Sequence, residues 1–182
     1  MVDSQEVFDE KYAIWKKKRT FVRAVEGVYK DIKDDLYNAP RVVKGKEFVY
    51  KGGPQFWNKH ILAPKDGLGQ TIESHIEVFS PGGRSQKHGH LNGAVFVVLH
   101  GKGYDVHDGV RHDWEAGDIA IVENGCVHQH FNASDTEMAS CLVVKGKPLY
   151  LFFNLLFQRN VIDPPKEPVP GYEDWDPGDL PY

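Results

Sequence analysis

The chain has 182 residues, of which 41% are hydrophobic and 26% charged, and its formal net charge is −4. This length and composition predict one folded domain with an ordinary core. The negative net charge gives no electrostatic basis for binding nucleic acid or an anionic membrane surface. No apolar run reaches the roughly 18 residues of a membrane-spanning helix.

The first twelve residues, MVDSQEVFDEKY, are acidic and lack the apolar stretch of a secretory signal. The chain has two cysteines, Cys126 and Cys141, a number that indicates no disulfide scaffold. We therefore expect a cytoplasmic protein.

The N-terminal region is predicted to be helical. Asn38-Ala39-Pro40 marks its end, since proline biases the preceding residue away from the helix. The pattern fits one amphipathic helix, or two with a break near Arg19-Thr20 or near Gly27. We assign residues 1–40 to this segment and expect it to pack on the following domain or on a neighbouring subunit. Its apolar residues recur at helical spacing: Phe8, Tyr12, Trp15, Val22, Val25, Tyr29, Ile32 and Leu36.

Residues 41–158 are predicted to be rich in β-strands. Turn signals such as Gly52-Gly53-Pro54, Pro81-Gly82-Gly83 and Asp108-Gly109 separate short apolar or alternating runs. Many short strands spaced in this way indicate an all-β antiparallel sandwich or barrel. The runs are Glu47–Tyr50, Phe56–Leu62, Ile72–Ser80, Ala94–Leu99, Gly103–His107, Asp118–Val122, Val127–Asn132, Met138–Val144 and Leu149–Asn154.

Residues 159–182 differ in composition from the rest of the chain. Six of the eleven prolines lie there among acidic residues, a composition that disfavours regular structure. The aromatic residues Tyr172, Trp175 and Tyr182 would nevertheless give this stretch points of attachment. We predict an extended arm that lies on its own barrel or on a partner; the alternative is a free linker.

The histidines carry the main functional signal. His88 and His90 are one residue apart, so on a strand they lie on the same face. His128, from a distant strand, can complete a face of three imidazoles around one divalent metal. Three inward histidines without such a role would bury costly polar rings. The sequence therefore predicts a metal site on His88, His90 and His128.

The spacing of these residues resembles the two motifs of the cupin superfamily. The resemblance implies a jelly-roll barrel (a double-stranded β-helix) with the metal held by the three histidines. Two positions differ from the family pattern: Ala94 stands where many cupins have a glutamate ligand, and Glu123 replaces a proline at a turn. The first motif maps onto Gly82, His88, His90, Ala94 and Gly101, and the second onto Gly117, Glu123, Gly125, His128 and Asn132.

The ligand set restricts the metal without identifying it. Three neutral imidazoles suit iron, zinc, copper or nickel, and we expect Fe(II), with zinc, nickel or manganese as alternatives. Without a carboxylate ligand the metal keeps its full charge and leaves open coordination positions. Such a centre favours a small anionic chelating substrate and, beside it, O2.

A narrower resemblance concerns the gentisate and salicylate 1,2-dioxygenase group. Those cupins share the alanine at position 94 and a second motif similar to His128-Gln-His-Phe-Asn132. The resemblance implies Fe(II), a ring substrate chelated through adjacent oxygens, and ring cleavage by O2. It also implies that His130 hydrogen-bonds the substrate or oxygen and moves a proton.

Phe96 stands where those enzymes use an arginine on the substrate carboxylate. Either the substrate lacks that carboxylate, or Arg84 or another cation meets it. We also assign Gln86 to the catalytic group, since it shares the face of His88, and Asn132 to substrate binding. Phe96 and Trp57, with Phe79 or Val78, are predicted apolar walls.

Other polar residues near the motifs receive no catalytic role at this point. His100, His107 and His112 are expected to face solvent around the hairpin at Asp108-Gly109. His75 and Glu77 share one face of a strand, but the alternation alone does not say which face is inward.

Three function classes follow from these patterns. The first is an Fe(II) dioxygenase acting on a small hydroxylated aromatic or dicarbonyl compound. The second is a non-oxidative lyase, isomerase or decarboxylase acting on a small organic acid, with His130 as its base. The third is a non-catalytic small-molecule-binding cupin. Apolar outward positions at Val95 and Val97 predict a homo-oligomer.

Overall fold

The structure is a computed structural model that describes residues 37–63, 71–178 and 180. The chain divides into two compact units, Met1–Val42 and Val43–Tyr182, and every strand described below lies in the second. The predicted helical region from Phe8 to Leu36 lies outside the described residues. Among the described residues, no helix has the length and apolar character needed to cross a membrane.

Two antiparallel sheets form the second unit. The first has the order β1-β2-β3-β10-β5-β8, and the second has the order β11-β4-β9-β6-β7. The all-β prediction is therefore confirmed. The strands are β1 (Lys51–Gly52), β2 (Phe56–Leu62), β3 (Glu73–Phe79), β4 (Lys87–His90), β5 (Ala94–His100), β6 (Lys102–His107), β7 (Val110–Glu115), β8 (Ile119–Val122), β9 (Val127–Asn132), β10 (Ala139–Lys145) and β11 (Gln158–Ile162).

The alternation of side chains along the strands defines the interior. In β5, residues Ala94, Phe96 and Val98 are buried, whereas Val95 is exposed. Strand β9 alternates in the same way, and its buried positions carry polar residues instead of apolar ones. The apolar side chains of both sheets pack together in one cluster. Its members are Phe56, Phe79, Ala94, Phe96, Val98, Trp114, Val122, Cys126, Ala139, Cys141 and Val143.

Two of the predicted strands are wrong. The run Leu149–Asn154 lies mostly in an α-helix, α1 (Lys147–Phe152). Pro148 lies in the first turn of α1, where its fixed φ favours helix and its missing N–H leaves no bond unmade. The run Glu47–Tyr50 begins at the end of a 3-10 helix, Gly45–Glu47. A short apolar run can form either a strand or a helix, and in these two runs the neighbouring residues determined which one forms.

The C-terminal stretch contacts the barrel at several points. Strand β11 pairs with β4, and its residues cross the boundary that we placed after residue 158. Beyond Ile162, the described residues contain no helix or strand. Gln55 donates a hydrogen bond to the Glu167 carbonyl at 2.8 Å, and the Tyr172 hydroxyl donates one to the Asp135 carbonyl at 2.6 Å.

Candidate metal centre

Two neighbouring strands bring the three motif histidines together. Strands β4 and β9 pair with His88 opposite His128, and His90 follows two positions along on the same face. The ring centroid of His88 lies 4.3 Å from that of His128 and 5.3 Å from that of His90. One ring nitrogen from each residue falls within 4.8 Å of the other two. All three side chains are buried.

Backbone carbonyls orient the three rings. Nδ1 of His90 donates to the Asn92 carbonyl at 2.6 Å, and Nδ1 of His128 donates to the Cys126 carbonyl at 3.3 Å. Nδ1 of His88 lies 3.5 Å from the Gln86 carbonyl. Because a carbonyl oxygen only accepts, each Nδ1 carries the hydrogen, and Nε2 is left with its lone pair.

The pKa values of these imidazoles favour the neutral form. Burial, followed by the nearby charges of His130 and His90, lowers the pKa of His88 to about 4. Burial and the neighbouring histidines lower the pKa of His128 to about 2. Burial also lowers the pKa of His90. A metal needs unprotonated imidazole ligands, so these residues fit a divalent cation.

The position of the usual fourth ligand offers no donor. Ala94 is buried on the inner face of β5, opposite Lys145 of β10. A methyl group cannot coordinate a metal. The ligand set provided by these strands is therefore three imidazoles.

His130 lies beside the three histidines and belongs to a separate polar group. Its ring centroid is 5.2 Å from that of His128, and its Nδ1 lies 2.8 Å from Oδ1 of Asp105. Trp114 Nε1 donates to the same Asp105 oxygen at 2.8 Å. Burial alone would lower the pKa of His130, but the Asp105 carboxylate outweighs burial and raises it.

Phe96 is the predicted wall residue that reaches this group. Its ring centroid lies 4.4 Å from that of His130, and Phe79 lies 6.4 Å from the same ring. Trp57 is on the opposite face of β2 from Phe56, and its ring packs against Trp175 at 4.9 Å. The alternation along β2 therefore separates Trp57 from the site where we had placed it.

The other three predicted site residues, Arg84, Gln86 and Asn132, differ from one another in burial and in hydrogen bonding. Arg84 is exposed, and Gln86 is half-buried just before β4. The amide of Asn132 donates to the carbonyls of Ser80 and Glu137, and its oxygen accepts from Ser134 N. Because these bonds use both amide hydrogens of Asn132, its role here is to hold the turn after β9.

Two interior residues that the sequence left undecided lie on the inner face. His75 and Glu77 are both buried, and His75 Nε2 donates to Glu77 Oε1 at 2.9 Å. Burial alone would raise the pKa of Glu77, but the hydrogen bond and charge of His75, together with the charges of His130 and Lys145, outweigh burial and lower it. Alternation with Phe79, which faces His130, is the sequence signal that could have placed them inward.

The expectation that His107 faces solvent is wrong. Its side chain is buried, with Nε2 at 3.4 Å from Asp105 Oδ2 and Nδ1 at 3.1 Å from Glu123 Oε2. Strand β6 pairs with β9 so that His107 lies opposite His128, which turns both side chains to the interior. His100 and His112 are exposed, as expected.

Comparison with known families agrees with this geometry. Residues 75–145, which include all three histidines, match the family described as the cupin domain. Residues 75–145 of this chain therefore carry a cupin domain. Among curated protein sequences, none matches it.

Solved structures with a similar fold include a dioxygenase and a cupin-like protein. Salicylate 1,2-dioxygenase from Pseudoaminobacter salicylatoxidans, as its adduct with gentisate, is similar with a TM-score of 0.55 at 16% identity. That match covers 62% of this chain and 31% of the dioxygenase, so this chain spans less than a third of the length of the dioxygenase. A cupin-like protein from Thermotoga maritima has a TM-score of 0.52 at 21% identity, over 69% of this chain and 87% of that one.

Proposed function

We propose that this cupin is an Fe(II)-dependent dioxygenase that cleaves a small hydroxylated aromatic or dicarbonyl compound. The observation that carries the proposal is the ligand set, three neutral imidazoles with Ala94 in place of a carboxylate. The likeness of the fold to a salicylate 1,2-dioxygenase supports it. The gentisate-type motifs in the sequence imply iron as the metal.

Each part of the site has a role in this proposal. Bound to the three Nε2 atoms, Fe(II) would supply Lewis acidity and redox chemistry with O2. His88, His90 and His128 hold the metal, and the carbonyls behind them keep the rings oriented. His130, positioned by Asp105, is placed to donate a proton or hydrogen bond to the substrate. Phe96 packs along the same side and excludes water.

The charge of the site suggests the class of substrate. Three uncharged ligands leave a divalent metal with a net double positive charge, which favours an anionic chelator such as an enolate or a catecholate. Arg84 is too exposed for us to assign it to a substrate carboxylate. We therefore propose a substrate that binds through adjacent oxygens, with or without a carboxylate.

A second candidate is a non-oxidative reaction, such as that of a lyase or an isomerase. Glu77 favours it, because an ionised carboxylate held by His75 in the interior could serve as the required base. This reaction would proceed without O2 and with zinc, nickel or manganese.

Metal analysis combined with O2 uptake separates the two candidates. The protein is purified from its native host for metal content, then reconstituted anaerobically with Fe(II) and tested with gentisate, salicylate, catechols and β-diketones. We expect about one iron per chain and O2 uptake that depends on substrate. His128→Ala should abolish both, and His100→Ala, an exposed histidine at the end of β5, should change neither.

Two other outcomes of these measurements would contradict the dioxygenase proposal. Zinc or nickel in the native protein, with no O2 uptake on any substrate, would favour the lyase or isomerase. Absence of bound metal would exclude both enzymatic proposals and favour a binding protein.

We further propose that this cupin is a cytoplasmic homo-oligomer. Ile119 and Ile121 of β8 are each 63% exposed beside Val95 of β5, an apolar surface that a second copy would cover. For domain organisation we propose a segment of residues 1–40, a barrel of residues 41–158 and a C-terminal arm of residues 159–182, the first part of which pairs with the barrel as β11.

A further inference from the structure

A second group of metal-binding side chains lies next to the three motif histidines. It consists of His107 at the end of β6, Glu123 just after β8, and Cys126 just before β9. One ligand atom from each lies within 4.8 Å of the other two, the same closeness that the motif histidines show. None of these residues belongs to the three-histidine site.

The imidazole of His107 is held in the manner of a metal ligand. Its Nδ1 lies 3.1 Å from Glu123 Oε2, and its Nε2 lies 3.4 Å from Asp105 Oδ2, an oxygen with no hydrogen-bond partner among the described residues. Metal-bound histidines commonly present their second nitrogen to a carboxylate, which fixes the ring. In this arrangement the Asp105 carboxylate lies beside Nε2, and Nδ1 faces the Glu123 carboxylate.

The group borders a cavity that opens to solvent. The cavity has a volume of about 390 Å³ and lies between the edge strands β7 and β8. His107 and Glu123 line it together with His112, Asp113 and Asp118. Glu123 is 63% exposed, whereas His107 is 7% exposed, so the group extends from solvent into the barrel. Acidic and imidazole side chains along this path attract a divalent cation.

We propose that His107, Glu123 and Cys126 form a second metal site, open to the cavity, for a borderline or soft divalent cation such as Zn(II), Co(II) or Fe(II). Nitrogen, carboxylate and thiolate donors together suit this class of metal, and water from the cavity can fill the fourth position. Coordination breaks the S–H bond of Cys126, forms a sulfur–metal bond, and releases the proton to the cavity water.

The site lies between solvent and the three-histidine centre. The ring centroids of His107 and His128 are 5.9 Å apart, and Cys126 Sγ lies 3.7 Å from Nδ1 of His128. A cation that enters through the cavity therefore meets this site before His128. Glu123 is the residue that replaces the proline of the cupin motif, so one of the donors is a departure of this chain from the family pattern.

Cobalt provides a test that does not depend on catalytic activity. The metal-free protein is titrated with Co(II) under anaerobic, reducing conditions and followed by absorption. A thiolate bound to Co(II) gives a sulfur-to-metal charge-transfer band in the near ultraviolet, which a site made only of imidazoles cannot give. We expect two equivalents of Co(II) per chain, one of them accompanied by this band.

Matched variants assign the two equivalents. Cys126→Ser should remove the band and one equivalent, and Cys141→Ser, at the other buried free cysteine, should change neither. His128→Ala should remove the other equivalent and leave the band. Glu123→Gln, which keeps the size of a side chain that is 63% exposed, should weaken the band-forming equivalent about ten-fold or more.

The titration of the wild-type protein can also overturn the proposal. A single equivalent without a charge-transfer band would exclude a second site. A band that persists in Cys126→Ser but disappears in Cys141→Ser would place the thiolate elsewhere. If Cys126→Ser fails to fold, as judged by its thermal unfolding, an unchanged titration of Glu123→Gln would overturn the site by itself.

Discussion

At the scale of single residues, Asp105 connects the buried side chains of His130, Trp114 and His107. Its carboxylate lies 2.8 Å from Nδ1 of His130, accepts from Trp114 Nε1 at 2.8 Å, and approaches His107 at 3.4 Å. Burial alone would raise the pKa of Asp105, but His130 and the hydrogen bonds hold it well below its usual range. The residue therefore carries a full negative charge in the barrel, balanced by its histidine neighbours.

We expect Asp105→Asn to lower the free energy of unfolding by about 3 kcal/mol, because it leaves a buried histidine without its charged partner. Urea denaturation of the metal-free protein measures the loss. Asp113→Asn is the control: Asp113 pairs with Arg111 on the surface, where solvent screens the charges, and stability should hardly change. An equal loss of unfolding free energy in the two variants would contradict a structural role for the buried charge of Asp105.

Protonation of the motif histidines predicts a pH dependence of stability. In the folded metal-free protein the pKa is about 4 for His88 and about 2 for His128, against 6.5 for an unperturbed histidine. Between pH 6.5 and 4 the unfolded chain therefore binds protons that the folded protein does not, and stability falls as the pH falls. Asp105 is ionised in both states above about pH 5, and His130 has a raised folded pKa, so these two residues add little slope over most of this window.

We expect His88→Gln to reduce this slope by about one proton, or roughly 1.4 kcal/mol per pH unit. Urea midpoints of the metal-free wild type and variant, measured between pH 4.5 and 6.5, provide the comparison. His100→Gln, at an exposed histidine, serves as the control and should keep the wild-type slope. A slope unaffected by His88→Gln would mean that His88 is protonated in the folded protein.

At the scale of elements, β6 positions Asp105 and His107 through close packing between β7 and β9. Gly103, two residues before Asp105, lies opposite Asn132 of β9 and Trp114 of β7. A Cβ at this position would overlap the carbonyl oxygen of Phe131 and the ring of Trp114. The absence of a side chain therefore lets the three strands approach each other.

We expect Gly103→Ala to destabilise the protein by about 2 kcal/mol or more, because the added methyl group forces β6 away from its neighbours. Gly146→Ala is the control, since a Cβ there would meet no atom within 4 Å. Thermal unfolding of the two variants measures the difference. Similar stability in both would mean that the strands separate at little cost.

At the scale of the whole molecule, the outer face of the first sheet is apolar at its edge. Ile121 of β8 lies opposite Val95 of β5, and Ile119 lies opposite Val97. Side chains of this kind normally lie against another surface. A second copy of the chain is the occupant that we propose.

We expect the wild-type protein to sediment as a species larger than one chain, and Ile121→Lys to shift it toward the monomer. A lysine at this position would place a charge in the proposed interface. Val49→Lys, at a side chain that is 69% exposed outside the strands, should leave the assembly unchanged. A monomeric wild type would refute the oligomer.

The sequence by itself determined the fold class and the three-histidine cluster. His88 and His90 share a face because side chains alternate along a strand, and this relation is local. Glycine-rich turns between short runs likewise indicated many antiparallel strands, and the part of the chain that the structure describes contains eleven. These features depend on spacing along the chain, so they can be read without knowing which strand lies beside which.

Only the tertiary structure decided which face of each strand is inward. Alternation places Trp57 and Phe56 on opposite faces of β2, but pairing with β3 sets Phe56 against Phe79 and turns Trp57 away from the histidines. Pairing of β6 with β9 likewise turns Asp105 and His107 into the barrel. Register between distant strands depends on contacts that are far apart in sequence. A shift of one residue would reverse every one of these side chains.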